Sequence, residues 1–463
     1  MIHITMLSGL GHAVFVTVGL LIYVLGTRIG HQRRHPSAAV GWVLGIIGFP
    51  YLFVPLFVLF GTRKFVRPAR RQPGPPGAVQ GGPPWAAQLL DCMQVPPAAR
   101  NQRIALHADG QQALQGLLET IASAQRQLDV CTYIFALDDV GRQISRALLE
   151  AVRRGVAVRL LVDAVGSMRT HPGLLRGLQR QGVQVRRFMP LLHNPLRGRI
   201  NLRNHRKLVV ADGQRLWSGG RNLACEYFMG RPRHPAWIDL SYEIEGPVAA
   251  QAHVQFGTDW RMAVGHMLRR MRKSAAAPNV PQPAQGPLAQ WLPTGPDHAD
   301  DTIHALLLAG AYHAQRRIVA VSPYFVPDDA LLDAWCLACR RGVQVSLLVP
   351  ARSNHRLADI ARERALRALK TAGAHIWLAP AMMHAKAVLI DDSLALAGSV
   401  NLDERSLFLN YEAMTAFYAQ EQIDWLSQWF EQQIASARPY QGRRPSWPRD
   451  IAEGIVRAVG FQL

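Results

Sequence analysis

Two stretches of this chain share one pattern. His205-Arg206-Lys207-Leu208-Val209-Val210-Ala211-Asp212 is followed, six residues on, by Gly219-Gly220-Arg221-Asn222. His384-Ala385-Lys386-Ala387-Val388-Leu389-Ile390-Asp391 is followed, again six residues on, by Gly398-Ser399-Val400-Asn401. Four residue types at one spacing, met twice, point to a duplicated unit rather than to chance. The Val, Leu and Ile after each Lys predict a β-strand, in which residues two apart point to the same side. His205 then shares a face with Lys207, and His384 with Lys386. Asp212-Gly213 and Asp391-Asp392 predict hairpin turns. A return strand through Leu216-Trp217, or from Leu394 to Ala397, leads to a Gly-rich bend that brings Asn222 or Asn401 back beside its His. Asp212 and Asp391 admit two roles, as turn residues or as members of the reactive set.

Outward from the motifs the duplication continues. Ala151-Val152-Arg153-Arg154-Gly155-Val156-Ala157-Val158-Arg159-Leu160-Leu161-Val162 has the form of a helix end, a Gly turn and a buried strand. Ala338-Cys339-Arg340-Arg341-Gly342-Val343-Gln344-Val345-Ser346-Leu347-Leu348-Val349 repeats it. An F-x-x-D-D element precedes each: Phe135, Asp138 and Asp139, then Phe325, Asp328 and Asp329. Helices are expected from Gly110 to Gln127 and from Asp300 to Arg316. Helix alternating with strand implies an α/β layered fold in each half.

At 463 residues the chain exceeds one hydrophobic core, which agrees with two globular units. An apolar fraction of 49% excludes a disordered chain. The formal charge of +20 favours a polyanionic partner, either nucleic acid or an anionic lipid surface. Five cysteines, odd in number and sparse, do not make a disulfide framework. Cys336 and Cys339 form a C-x-x-C pair, but in an apolar helical stretch that marks them as core thiols.

The N-terminus separates lipid from nucleic acid. Met6 to Gly26 is nearly all apolar and uncharged, and Ala38 to Gly61 is a second such run. Each approaches the ~20 residues that cross a bilayer core. The first lacks the basic n-region of a signal peptide. Pro50 and Pro55 disturb the second, so a kinked or re-entrant segment competes with a straight span. Arg63, Lys64, Arg67, Arg70 and Arg71 after the second run place the body in the cytoplasm by the positive-inside tendency, while Arg28, Arg33 and Arg34 between the runs pull the other way. The expected organisation is two transmembrane segments in 1–65, a Pro/Gly/Arg-rich linker in 66–100, a first half in 101–275, a second half in 287–440 and a C-terminal tail in 441–463.

The duplicated spacing is the HxKx4Dx6GSxN signature of the phospholipase D superfamily, which the chain resembles. Within it, the chain is similar to the bacterial cardiolipin synthases with two N-terminal membrane segments. That similarity rests on Ile200-Asn201-Leu202-Arg203-Asn204-His205-Arg206-Lys207, on Ser322-Pro323-Tyr324-Phe325-Val326-Pro327-Asp328, and on Gly398 to Ser406 with Asn410 and Glu412. Gly220 departs from the pattern where Ser is general, and Asn354 stands where Asp is usual. The resemblance implies two phospholipase D-like α/β sandwich halves packed as a pseudo-dimer. It also implies phosphatidylglycerol as substrate at a bacterial inner membrane.

Attack on a phosphodiester needs its charge neutralised, a nucleophile, and a proton for the leaving alkoxide. Two imidazoles cover the last two tasks near neutral pH. One attacks phosphorus to give a phosphohistidine; the other serves as acid and then base. Lys207 and Lys386 neutralise the non-bridging oxygens, and Asn222 and Asn401 donate to them. With two fixed cations, no metal and no cofactor are expected. The symmetric motifs do not rank the two histidines; family analogy makes His205 the nucleophile and His384 the acid/base. Glu412 matches the family's acid for the second His, and Asp239, in Trp237-Ile238-Asp239, is the candidate partner of the first. A hydrolase or another headgroup transferase would keep this site and change the acceptor. A nuclease would use the same chemistry, but the apolar N-terminus counts against nucleic acid.

Several segments carry two readings. Arg197, Arg199, Arg203 and Arg206 form either a solvated face or lipid-phosphate contacts. Met267 to Lys273 is an interfacial or a soluble basic helix. Ile451 to Phe461 is amphipathic and packs on the body or on the membrane. Tyr324-Phe325 is expected in the core.

Overall fold

Leu208–Ala211 and Ala387–Ile390, the strands anticipated after each Lys, occupy equivalent places in two mixed sheets of the computed structural model. It describes residues 2–29, 36–61, 82–168, 170, 172–190, 201–230, 234–263, 280–442 and 444–458. The first sheet runs, in spatial order, Arg103–His107, Ser241–Glu245, Arg215–Gly219, Leu208–Ala211, Gln127–Thr132, Ala157–Asp163, Gln184–Phe188. The second repeats that order as Leu288–Thr294, Glu412–Phe417, Leu394–Gly398, Ala387–Ile390, Arg317–Val321, Gln344–Pro350, His375–Ala379. It adds Ala99–Arg100 at one edge and Arg438–Pro439 at the other. The duplication is thus structural, strand for strand.

In each sheet the last three strands of the shared seven-strand order are parallel and the motif strand is antiparallel to both neighbours. Parallel neighbours need a crossover, supplied by helices Asp139–Arg153 and Asp329–Arg340. Asp138 of the F-x-x-D-D element caps the first, accepting the Gly141 N–H at 2.9 Å. Gly155 and Gly342 end the crossovers at φ +86° and +92°, a backbone region that suits glycine.

The period of two sorts the motif strands between layers. Leu208 and Val210, with Ala387 and Leu389, point into one core shared by both sheets and by helices Pro247–Ala263 and Gln420–Ala435. Val209 and Ala211 face the outer layer of the first half, and Val388 and Ile390 that of the second. The halves are joined by a common interior. Phe325 lies fully in the core, as expected. Cys336 and Cys339 pack partly buried against it, and burial pushes both thiols up.

At the N-terminus α1 (Ile2–Ile29) contains Gly9–Thr27, long and apolar enough to cross a bilayer. The second apolar run is two helices, α2 (Pro36–Gly48) and α3 (Pro50–Phe60). They break at Phe49, φ −135° and ψ 61°, because a residue before proline is driven out of the helical region. Pro55 lies inside α3 without ending it. The linker expected over 66–100 gives way to structure before its end. Pro84–Cys92 is a helix whose Ala86 and Leu90 join the second half's core, and Ala99 pairs with Ala289. Pro84 at a helix start needs no N–H partner, so it begins the element that its composition suggested it would interrupt. The C-terminal helix Trp447–Ala458 packs on Arg356–Thr371, with Arg367 Nη2 2.5 Å from the buried Glu453. Most of the 66–84 linker, Arg197, Arg199, Met267 to Lys273, and Phe461 lie outside the described residues.

Candidate active site

Each motif His sits on the extended residues just before its strand, since the ladder begins only after Lys207 and Lys386. The other half holds those residues in place. Asn204 bridges Tyr411, and the His205 N–H donates to the Tyr411 carbonyl at 2.8 Å. Ile238 bridges Met383, and the His384 N–H donates to the Ile238 carbonyl at 2.7 Å. Tyr411 and Ile238 immediately precede Glu412 and Asp239, so each His is fixed beside the other half's acid.

The side chains follow the backbone. His205 Nδ1 lies 2.9 Å from Glu412 Oε1, and His384 Nδ1 lies 2.6 Å from Asp239 Oδ2. This reverses the expected pairing, which gave Glu412 to His384 and Asp239 to His205. The reason lies in sheet order: within its own sheet each acid is separated from the motif strand by the return strand, and it reaches across the interface instead. Both carboxylates are fully buried.

The surroundings of the two acids differ. Ser399 Oγ donates to Glu412, and Asn410 Nδ2 donates to it at 3.3 Å. At the equivalent place Gly220 leaves room: a Cβ there would stand 2.1 Å from Asp239 Oδ1. The departure from Ser in the first motif therefore has a steric cause.

The lysines converge on the same space. Lys207 Nζ donates to the His205 carbonyl at 2.6 Å. Lys386 Nζ donates to the His384 carbonyl and stands 2.9 and 3.0 Å from the two ring nitrogens. Burial lowers Lys207 to about 8 against the opposing pull of Glu412 and Asp239. Burial lowers Lys386 to about 7, with Asp239 opposing and the Lys207 charge adding to the effect. His384 is lowered to about 3 by burial and then by Lys386, although Asp239 opposes both. His205 is lowered by burial, with Glu412 opposing and Lys207 and Lys386 contributing. Burial raises Asp239, but His384 and Lys386 outweigh it and bring the group to about 2. Groups from both halves thus feel one another's charge. Two buried lysine amines beside two imidazoles make surroundings that favour an anion.

Asn222 accepts the Ile134 N–H through Oδ1 at 3.2 Å; Asn401 is buried and its Oδ1 has no hydrogen-bond partner among the described residues. Asp212 and Asp391 lie at the far ends of the motif strands. Asp212 accepts the N–H groups of Gln125, Arg126 and Gln127 at 2.8–2.9 Å. Asp391 does the same for Gln315, Arg316 and Arg317 at 2.8–3.1 Å. Both have positive φ, 53° and 49°, and act as structural turn residues. Arg203 and Arg206, expected on a solvated face or on lipid phosphate, are instead buried. Arg206 pairs with Asp259 at 2.5 Å and donates to the Glu412 and Thr294 carbonyls at 2.9 and 3.0 Å. Asn354 accepts from Tyr324 Oη at 2.6 Å, which gives it an internal partner.

Three ring contacts had no signal in the spacing of the motifs. Tyr133 stands edge-on to His205 at 4.7 Å, while Tyr227 and Trp237 lie 4.9 and 5.4 Å from His384. They leave the His205 side chain 14% exposed and that of His384 6% exposed. Trp237, two residues before Asp239, was the one within reach of sequence reasoning.

The family described as cardiolipin synthase, PLD-like domain, matches residues 117–260 and 307–434, one segment in each half. Cardiolipin synthase A of Pseudomonas entomophila (strain L48) is 31% identical over 426 residues, 88% of each chain. Cardiolipin synthase A of Pseudomonas aeruginosa (strain LESB58) is 32% identical over 405 residues, 82% of this chain and 81% of that one. The solved phosphatidylserine synthase of Haemophilus influenzae Rd KW20 shares the fold, with a TM-score of 0.62 at 14% identity over 82% of this chain and 100% of its own. With both motifs intact and both halves matched, the chain belongs to the cardiolipin synthase family of phospholipase D-like enzymes.

Proposed function

We propose that the chain is a membrane-anchored cardiolipin synthase acting on two molecules of phosphatidylglycerol, with α1 in the bacterial inner membrane and the catalytic body in the cytoplasm. The observation that carries the chemistry is the crossed pairing. Each imidazole has its Nδ1 held by a carboxylate from the other half, which fixes the tautomer and leaves Nε2 for reaction. His205, the more accessible ring, attacks phosphorus. A P–N bond forms as the P–O bond to the headgroup glycerol breaks, and the Nε2 proton of His384 goes to the departing oxygen.

Neutral His384 next takes the proton from a hydroxyl of the second phosphatidylglycerol. Its oxygen displaces His205 from phosphorus and cardiolipin results. Lys207 and Lys386, with the amides of Asn222 and Asn401, stabilise the charge on the non-bridging oxygens. Burial disfavours a protonated His384, and the pressure of the Lys386 and Lys207 ammoniums adds to it. An anionic phosphodiester between the lysines removes that pressure and lets His384 carry its proton. The names of the relatives support cardiolipin as the product, and the excess of basic residues suits an anionic lipid surface.

The test is expression in cells that lack cardiolipin, followed by lipid mass spectrometry. Cardiolipin is expected with the intact chain and none with His205→Ala or His384→Ala. Phosphatidic acid without cardiolipin would replace the transferase with a hydrolase.

A further inference from the structure

We propose that the second apolar run is a re-entrant hairpin in one leaflet, so that the N-terminus lies on the opposite side of the membrane from the catalytic body. The helices are too short for a second crossing. At 13 and 11 residues, α2 and α3 span ~20 and ~17 Å, against a hydrocarbon core of ~30 Å.

Their packing fixes the direction of each arm. Tyr51, at the start of α3, lies 4.7 Å from Phe15 and 5.9 Å from His12 by ring centroids. Phe57, near its end, lies 5.1 Å from Tyr23. Thus α3 runs alongside α1 in the same sense. Trp42 of α2 meets Phe53 and Phe57 at 6.2 and 5.3 Å, so α2 runs the opposite way. Glycines permit this contact: a Cβ on Gly19 would stand 2.5 Å from Val54 and 3.0 Å from Ile46, and one on Gly45 2.2 Å from Phe53. Ile29, Pro36 and Phe60 therefore gather at one end, while the Phe49-Pro50 tip reaches only the level of His12 to Phe15.

The tip is suited to hydrocarbon, where backbone groups must be satisfied internally. The N–H groups of Phe49, Leu52 and Phe53 donate to Gly45 and Phe49 carbonyls at 2.8–3.1 Å, and Pro50 has no N–H. No charged side chain occurs from Pro36 to Gly61. Val40, Leu44, Phe49 and Leu52 are exposed apolar residues that acyl chains would cover.

Charge gives an independent argument. Two full spans would put Arg28, Arg33 and Arg34 on one side and Arg63, Lys64, Arg67, Arg70 and Arg71 on the other, against the positive-inside tendency. The hairpin puts both groups on the body's side and leaves the N-terminal flank with no Lys or Arg before Arg28.

The test is thiol labelling of the full chain in cells. Thr5→Cys and Gln32→Cys, each combined with Cys92→Ser, are treated with a membrane-impermeant maleimide before and after permeabilisation of the inner membrane. The exposed native Cys92 reports the body. Position 32 is expected on the side of Cys92, with position 5 on the opposite side. Position 32 opposite Cys92, or position 5 on the same side as Cys92, would overturn the hairpin. Neither read-out depends on enzymatic activity, so a failure of the proposed reaction would leave this result standing.

Discussion

Gly220 and Ser399 hold the same place in the two motifs, and each faces the acid of its own half in a different way. Glu412 reaches a hydroxyl at Ser399, whereas Asp239 lies against the bare backbone of Gly220. Gly220→Ser is therefore expected to displace Asp239 from His384. A shift of ~1 Å at a catalytic contact costs on the order of 10²-fold in rate, to be read as kcat for cardiolipin formation. The lysines set the pH dependence. In the proposed reaction their active form is the ammonium, and burial lowers them to about 7 and about 8. As pH rises through those values the free enzyme loses positive charge, so kcat/KM should fall. A flat profile from about pH 6.5 to about 9 would remove the lysines from phosphate binding. At this scale the reactive residue types were legible, because chemistry imposes their spacing along the chain. Their pairing was not, since the His384–Asp239 contact joins residues 145 positions apart across two sheets.

Hairpins, Gly turns and strands were legible wherever one local segment determines its own shape. The Gly155 and Gly342 turns and the strands after each Lys are of this kind. Asp212 and Asp391 were ambiguous because a motif Asp looks the same in either role. The three backbone N–H groups around each carboxylate favour the turn. Asp212→Ala should then cost about 2 kcal/mol, the scale of hydrogen bonds to a charged group, in a denaturant titration. Turnover per folded molecule should persist; a selective loss of turnover at unchanged stability would make Asp212 part of the chemistry. Pro84 and Pro50 were harder, because proline both breaks and begins helices and only the packing around it decides.

For the molecule as a whole, the halves are joined at the site as well as through the shared core. Arg206 sits between the two motif residues of the first half. It points away from the phosphate space into Asp259, Asp297 and the carbonyls of Thr294 and Glu412. Arg206→Ala would leave those carboxylates buried without their cation. Breaking a buried pair in this way costs ~3–5 kcal/mol, measurable as a lowered denaturation midpoint. A loss below about 1 kcal/mol would deny Arg206 its clamp role. Sequence placed this residue on a solvated or lipid-facing run, since a charge cluster does not announce an internal partner.

In the proposed reaction both halves share one phosphate site, with His205 as nucleophile and His384 as acid/base. A phosphatidyl ester of p-nitrophenol tests it directly, because its leaving group needs no acid. His384→Ala should release about one equivalent of nitrophenol in a burst and retain the phosphatidyl group on His205, identified by peptide mass spectrometry. His205→Ala should give no burst. A burst from His205→Ala, or a covalent phosphatidyl group on any other residue, would contradict it.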